Sequence, residues 1–309
     1  MVTKKDIQDV RLSHYDPEEE KIIPGIPAKE IVKVFLRALH EKTGRNVMVY
    51  YSSFPRNYYD KCDVNELDIT GFMMAMKNVD PKKGVDLIMQ TPGGDPRAAE
   101  GIVEYLHGVF KGDLRVIVPY CAYSAGTLIS CAAKTIIMGK HSFLGPVDPQ
   151  FGGIAGFNIV KDFDDARQDT MENPRSFNYW QLRLSQHHPA LYLMAKDAIA
   201  LSDELTTTWL TKYMFAGETG DAVSEKISAI CAKLNSNNHN HGRHFGYDFC
   251  KNLGLKVEEL EKDPELQDLV LGLHHALEFE MVDNTLAKLI TSHCGDTYAV
   301  PGVPEEEEE

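Results

Sequence analysis

Residues 85–153 constrain this chain more than any other stretch, because they read as two consecutive βαβ units. Apolar residues fill 85–89, a Gly-Gly turn follows, and the next residues are spaced for an amphipathic helix leading to a second buried strand at 114–118. A Ser-Ala-Gly turn then opens an apolar helix, and a third strand is predicted at 135–138. The expected fold class is therefore α/β.

Each unit carries an unusual bend at the carboxyl end of a strand. The first is Thr91-Pro92-Gly93-Gly94, followed by Asp95-Pro96, an N-cap with proline at the first helical position. Two adjacent glycines let the backbone present its N–H groups without a β-carbon in the way. The second is Tyr123-Ser124-Ala125-Gly126-Thr127, which sets Ser124 at the start of a helix. In an open α/β sheet both bends fall on the edge where ligands bind.

Acyl transfer is the chemistry that uses such a pair. A hydroxyl at a helix start sits at the positive end of the dipole, and the amide after it can donate to a developing oxyanion. A second donor has to come from a neighbouring strand-end loop. The expected assignment is Ser124 as nucleophile, the Gly94 and Ala125 amides as oxyanion hole, and Gly93 as part of a substrate loop. Ser124 as an ordinary N-cap and Gly93-Gly94 as an ordinary turn are the competing readings; a cap alone contributes about 1 kcal/mol.

The blocks TPGGD, YSAGT and GKHSFLGPVDPQFGG resemble the signature segments of the serine dehydrogenase proteinase family, a branch of the Clp-protease/crotonase superfamily related to signal peptide peptidase A. The resemblance extends over about 50–255, taking in Tyr51-Ser52-Ser53 and GRHFGYDFCKNLGL. It implies a spiral of ββα units, a serine peptidase centre that uses no nucleotide itself, and assembly of like subunits into rings or stacks. In that family Ser124 corresponds to the nucleophile and Gly93-Gly94 to the oxyanion loop.

The general base is less determined. Where a Clp-type histidine would fall, the chain reads Pro146-Val147-Asp148-Pro149-Gln150. Lys161 sits in a position comparable to the lysine of signal peptide peptidases, but a Ser–Lys dyad needs a desolvated, neutral amine, and Asp162, Asp164 and Asp165 favour the ammonium form. His141 is the other candidate, since an imidazole needs no such shift to serve as a base near neutral pH. Asp148 is a candidate to orient a base or to shape the substrate loop, and equally a turn former. His244 is a weaker candidate to approach the site. Both Lys161 and His141 have plain surface readings as well.

At 309 residues, 43% apolar and 25% charged, the chain is long enough for a large core. Its net charge of −14 argues against nucleic acid and anionic membranes as partners. The six cysteines show no CxxC pair, which suits buried thiols in a reducing compartment, and Cys121 reads as packing rather than as nucleophile. No apolar run reaches a membrane span and no leader is evident, so the expected location is cytoplasmic.

The expected organisation is an N-terminal arm (1–27), a Clp/crotonase-like catalytic domain (28–255) with a helical arm at about 157–234, a helical C-terminal segment (256–292), and an acidic disordered tail (293–309). Helices are predicted over 28–43, 65–76, 157–171, 174–187, 189–200 and 203–215, one long amphipathic helix or a pair over 263–291, and a strand over 46–51. The run NSNNHNHGRHFG holds His239, His241 and His244 without an acidic or cysteine partner, and reads as a loop rather than a metal site. No cofactor or metal is expected. The chain thus reads as an ATP-independent serine peptidase and homo-oligomer acting on peptides or unfolded proteins; the alternatives are a catalytically silent scaffold of the same fold and a crotonase-type enzyme acting on an acyl thioester.

Overall fold

The computed structural model describes residues 1–12, 14–16, 21–23, 25–235 and 243–302. The acidic run 305–309, with His239 and His241, lies outside the described residues.

Ten strands position the site: β1 (Asn46–Ser52), β2 (Val85–Gln90), β3 (Leu114–Val118), β4 (Cys121–Ala122), β5 (Thr135–Met138), β6 (Phe143–Leu144), β7 (Phe245–Gly246), β8 (Val257–Glu259), β9 (Leu286–Ser292) and β10 (Tyr298–Pro301). The main sheet runs β8-β5-β3-β2-β1-β9-β10, and a small one runs β7-β6-β4. From β8 to β1 every pairing is parallel; β9 is antiparallel to both β1 and β10. Among the described residues the helices are α1 (Lys4–Arg11), α2 (Ala28–Thr43), α3 (Asp68–Ala75), α4 (Pro96–Phe110), α5 (Ala125–Cys131), α6 (Gly156–Glu172), α7 (Phe177–Leu184), α8 (Leu191–Trp209), α9 (Asp221–Leu234), α10 (Tyr247–Leu253) and α11 (Pro264–Asp283). The α/β class holds.

Strands β1 and β2 are buried along their whole length, as expected when helices cover both faces of a parallel sheet. Period-two alternation sorts their side chains into two cores. Met48, Tyr50, Leu87 and Met89 join the core formed with α4, α5 and α8. Val47, Val49, Tyr51 and Ile88 join the one formed with α2 and α11.

Four elements differ from their expectation. Residues 189–200 and 203–215 form one helix, α8, running into a π-turn at Leu210–Met214. Ser202, between the two expected helices, sends its hydroxyl across to the Val147 carbonyl (2.9 Å), and Thr206 bonds back to the Ser202 carbonyl (2.7 Å), so both polar groups are satisfied without breaking the helix. The helix expected through residue 291 stops at Asp283: Thr285 turns the chain at φ 47°, and β9 enters the main sheet. Finally, β10 lies in the span assigned to the disordered tail, and the N-terminal arm contains α1, whose Ile7 is buried in the core with α11. Among the described residues no helix is long and apolar enough to cross a membrane.

Candidate active site

Strands β2 and β4 bring the two bends together. Thr91, just after β2, forms a parallel bridge with Ala122: its N–H donates to the Cys121 carbonyl (3.1 Å), and the Tyr123 N–H donates to the Thr91 carbonyl (3.1 Å). Side chains reinforce this joint. Gly126 leaves room for the Thr91 methyl, since a β-carbon there would stand 2.5 Å from it. Thr127 Oγ1, fully buried, is 2.9 Å from both the Ala122 and Gly145 carbonyls and accepts the Gly145 N–H at 3.1 Å.

Ser124 sits at the joint in a sparsely populated backbone state, φ 49° and ψ −113°. A non-glycine residue held there costs on the order of 1–3 kcal/mol, so the surrounding joint must hold it. Its hydroxyl does not cap α5, and among the described residues it has no hydrogen-bond partner. The N-cap reading therefore fails on geometry.

The Gly93–Gly94 bend runs directly beside it. Gly93 has φ 104°, donates its N–H to Thr91 Oγ1 (3.1 Å), and accepts from the Val64 N–H at its carbonyl (2.6 Å). Gly94, at φ 147°, bridges Val64, and the neighbouring Asp95 N–H goes to the Val64 carbonyl (2.9 Å). Those bonds leave the Gly94 and Ala125 amides without an acceptor among the described residues.

Ser124, Gly93 and Gly94 line one cavity of about 990 Å³. Its far wall is α8, which presents Met194, Ala198 and Leu201 at helical spacing, and Leu128, Val147 and Phe151 complete an apolar lining. Tyr58, Asp63, Asp197 and the Asp95–Arg97 ion pair (2.7 Å) stand at its edges. Sequence reasoning missed α8 as a wall; the signal was the spacing of Met194, Ala198 and Leu201, indistinguishable there from ordinary core packing.

The remaining candidates lie elsewhere. Lys161 lines a separate groove on α6, mostly exposed and ion-paired with Asp165. His141 follows β5, with Nδ1 3.9 Å from Glu261 Oε1. His244 is stacked on Tyr123, ring centres 5.4 Å apart, and tilted against Phe143 at 5.0 Å. None of the three hydrogen-bonds Ser124 Oγ, and among the described lining residues of the cavity there is neither lysine nor histidine. Asp148 is buried, does not line the cavity, and accepts from Gln150 Nε2 (2.6 Å). Cys121 is fully buried, and burial pushes its thiol up to about 12.

Two uncharacterised proteins of Methanocaldococcus jannaschii are similar: one is 40% identical over 106 residues, 34% of this chain and 37% of the relative. The other is 32% identical over 174 residues, 56% of this chain and 51% of the relative. The chain thus spans about half or less of the curated relatives it matches. A family model described as ClpP-like SDH-type serine proteinase matches residues 63–175, which hold both bends. Over those residues the chain is similar to the ClpP-like SDH-type serine proteinases.

Proposed function

We propose that the protein is a serine peptidase that needs no nucleotide, in which Ser124 attacks a peptide carbonyl and the Gly94 and Ala125 amides hold the resulting oxyanion. One observation carries this reading: a strained serine with an unpartnered hydroxyl stands beside two amides that have no acceptor among the described residues, at the edge of a large cavity. Strain at a residue that caps nothing is hard to account for by folding alone. The apolar lining suits an unfolded or short peptide.

The proton of Ser124 goes, in this proposal, to a group that comes from beyond the cavity lining. Lys161 and His141 are the two candidates. Lys161 acts only if its pairing with Asp165 is broken. A homo-oligomer, a spiral of ββα units and a cytoplasmic location belong to the same proposal. The lack of a lysine or histidine among the described lining residues favours one second reading, a non-catalytic scaffold of the same fold.

A fluorophosphonate probe and a peptide-hydrolysis assay separate the two. The wild-type chain labels once and turns over peptide, whereas Ser124→Ala does neither, with a loss of about 10⁴-fold or more. Equal turnover by Ser124→Ala rejects the peptidase assignment. Of Lys161→Ala and His141→Ala, the one that abolishes turnover identifies the base.

A further inference from the structure

A second cavity, of about 680 Å³, is lined by Tyr51, Ser53, Gln90, Tyr120, His274 and Glu278, among others. Gln90 closes β2, three residues before Gly93, and is 97% buried by its 3% exposure, yet its Oε1 has no partner among the described residues. On α11 beside this cavity, His274, His275 and Glu278 bring one ligand atom each to within 4.8 Å of one another. His275 Nδ1 is buried with no hydrogen bond among the described residues, although Glu278 Oε2 is 3.5 Å away. Metal–ligand bonds of about 2.0–2.2 Å put neighbouring ligands of a tetrahedral ion roughly 3.3–3.5 Å apart.

Two further contacts prepare the cluster for a cation. His274 Nδ1 is 2.7 Å from Tyr51 Oη, while the Tyr51 hydroxyl points to the His274 carbonyl at 3.5 Å. That direction fits a ring donating Nδ1–H to Tyr51 and keeping its Nε2 lone pair free, the arrangement by which outer partners orient ligating histidines. Lys4 Nζ lies 2.8 Å from Glu278 Oε2, so an ammonium already occupies the place where positive charge is wanted.

We propose that His274, His275 and Glu278 bind a divalent transition-metal ion of the Zn²⁺ type, which displaces Lys4 and keeps an open position toward the second cavity. Two imidazoles and a carboxylate are the ligand set of open zinc sites, and borderline nitrogen donors favour Zn²⁺ or Co²⁺ over Mg²⁺ or Ca²⁺. Entry of the ion couples to α1, because Lys4 is one of the contacts between α1 and α11.

The test is titration of the chelator-treated full chain with Co²⁺, read by its visible absorption, and with Zn²⁺ by calorimetry. One equivalent is expected per chain. His275→Ala and Glu278→Gln lose it, Tyr51→Phe keeps the stoichiometry but weakens affinity about 10- to 100-fold, and Lys4→Ala tightens it. Replacing His239, His241 and His244 with asparagine leaves it unchanged. No uptake, or uptake that survives Glu278→Gln but is lost with those three histidines, overturns the proposal. Should the α11 variants fail to fold, Lys4→Ala on the outer helix decides: unchanged affinity overturns it.

Discussion

A β-carbon placed on Gly93 would stand 2.5 Å from the β-carbon of Ser124 and 2.7 Å from the Tyr123 carbonyl oxygen. No real β-carbon tolerates such contacts, and φ 104° at Gly93 is itself strained for any L side chain. Gly93→Ala is expected to push the two bends apart. Peptide turnover should fall about 10²-fold or more, the scale of losing one oxyanion donor, while the melting temperature drops only modestly. Turnover within a factor of two of wild type would show that the two bends do not share one reaction site.

Cys121, three residues before Ser124, is a natural suspect for any thiol-sensitive behaviour. Its burial and raised pKa leave almost no thiolate at neutral pH. Iodoacetamide should therefore leave fluorophosphonate labelling of Ser124 intact, and mass spectrometry should find Cys121 unmodified in the folded chain.

The segment that bridges Gly94 is anchored by a buried charge pair. Lys288 Nζ is 2.6 Å from Asp68 Oδ1 and from the Asp63 carbonyl, and Tyr50 Oη donates to Asp68 Oδ2 at 2.8 Å. Both charged side chains are essentially inaccessible. Removing one partner strands the other, so Asp68→Asn should cost about 3–5 kcal/mol in denaturant unfolding. The double variant Asp68→Asn with Lys288→Met should recover much of that loss.

His107 gives the pH dependence a direction. It is buried on α4, donates Nε2–H to the Ala132 carbonyl (2.9 Å) and stacks on Tyr213, and desolvation pulls its pKa from 6.5 to about 4. Between those values the unfolded chain holds the proton and the folded chain does not, so stability falls as pH drops from about 6.5 to about 4. His107→Gln should flatten that part of the stability–pH curve. An unchanged slope would mean that other groups carry it.

The strands of the 85–153 block were legible because buried parallel strands read as unbroken apolar runs. Both bends were legible too, since glycine doublets and a serine before a small-residue helix have few structural uses. β9 was not: Leu286, Ala287, Leu289 and Ile290 mimic helical spacing, and Lys288 reads as a solvent-facing residue until Asp68 is seen beside it. β4 and β6 have two residues each, too short for any period to register. The base stayed hidden for a different reason, because distance to Ser124 Oγ is a tertiary quantity that spacing along the chain does not encode.

The placement of β9 between β1 and β10 also bears on how the molecule is made. On the ribosome, β1 emerges first and β2 covers one of its flanks soon after, while the strand for its other flank is some 240 residues further along than β1. Until that late segment arrives, β1 is a long apolar margin open to any passing strand. Cotranslational folding can therefore assemble the β1-to-β5 part but cannot seal it, and nascent chains stalled before residue 286 should be the species that chaperones hold and that aggregate when chaperones are scarce.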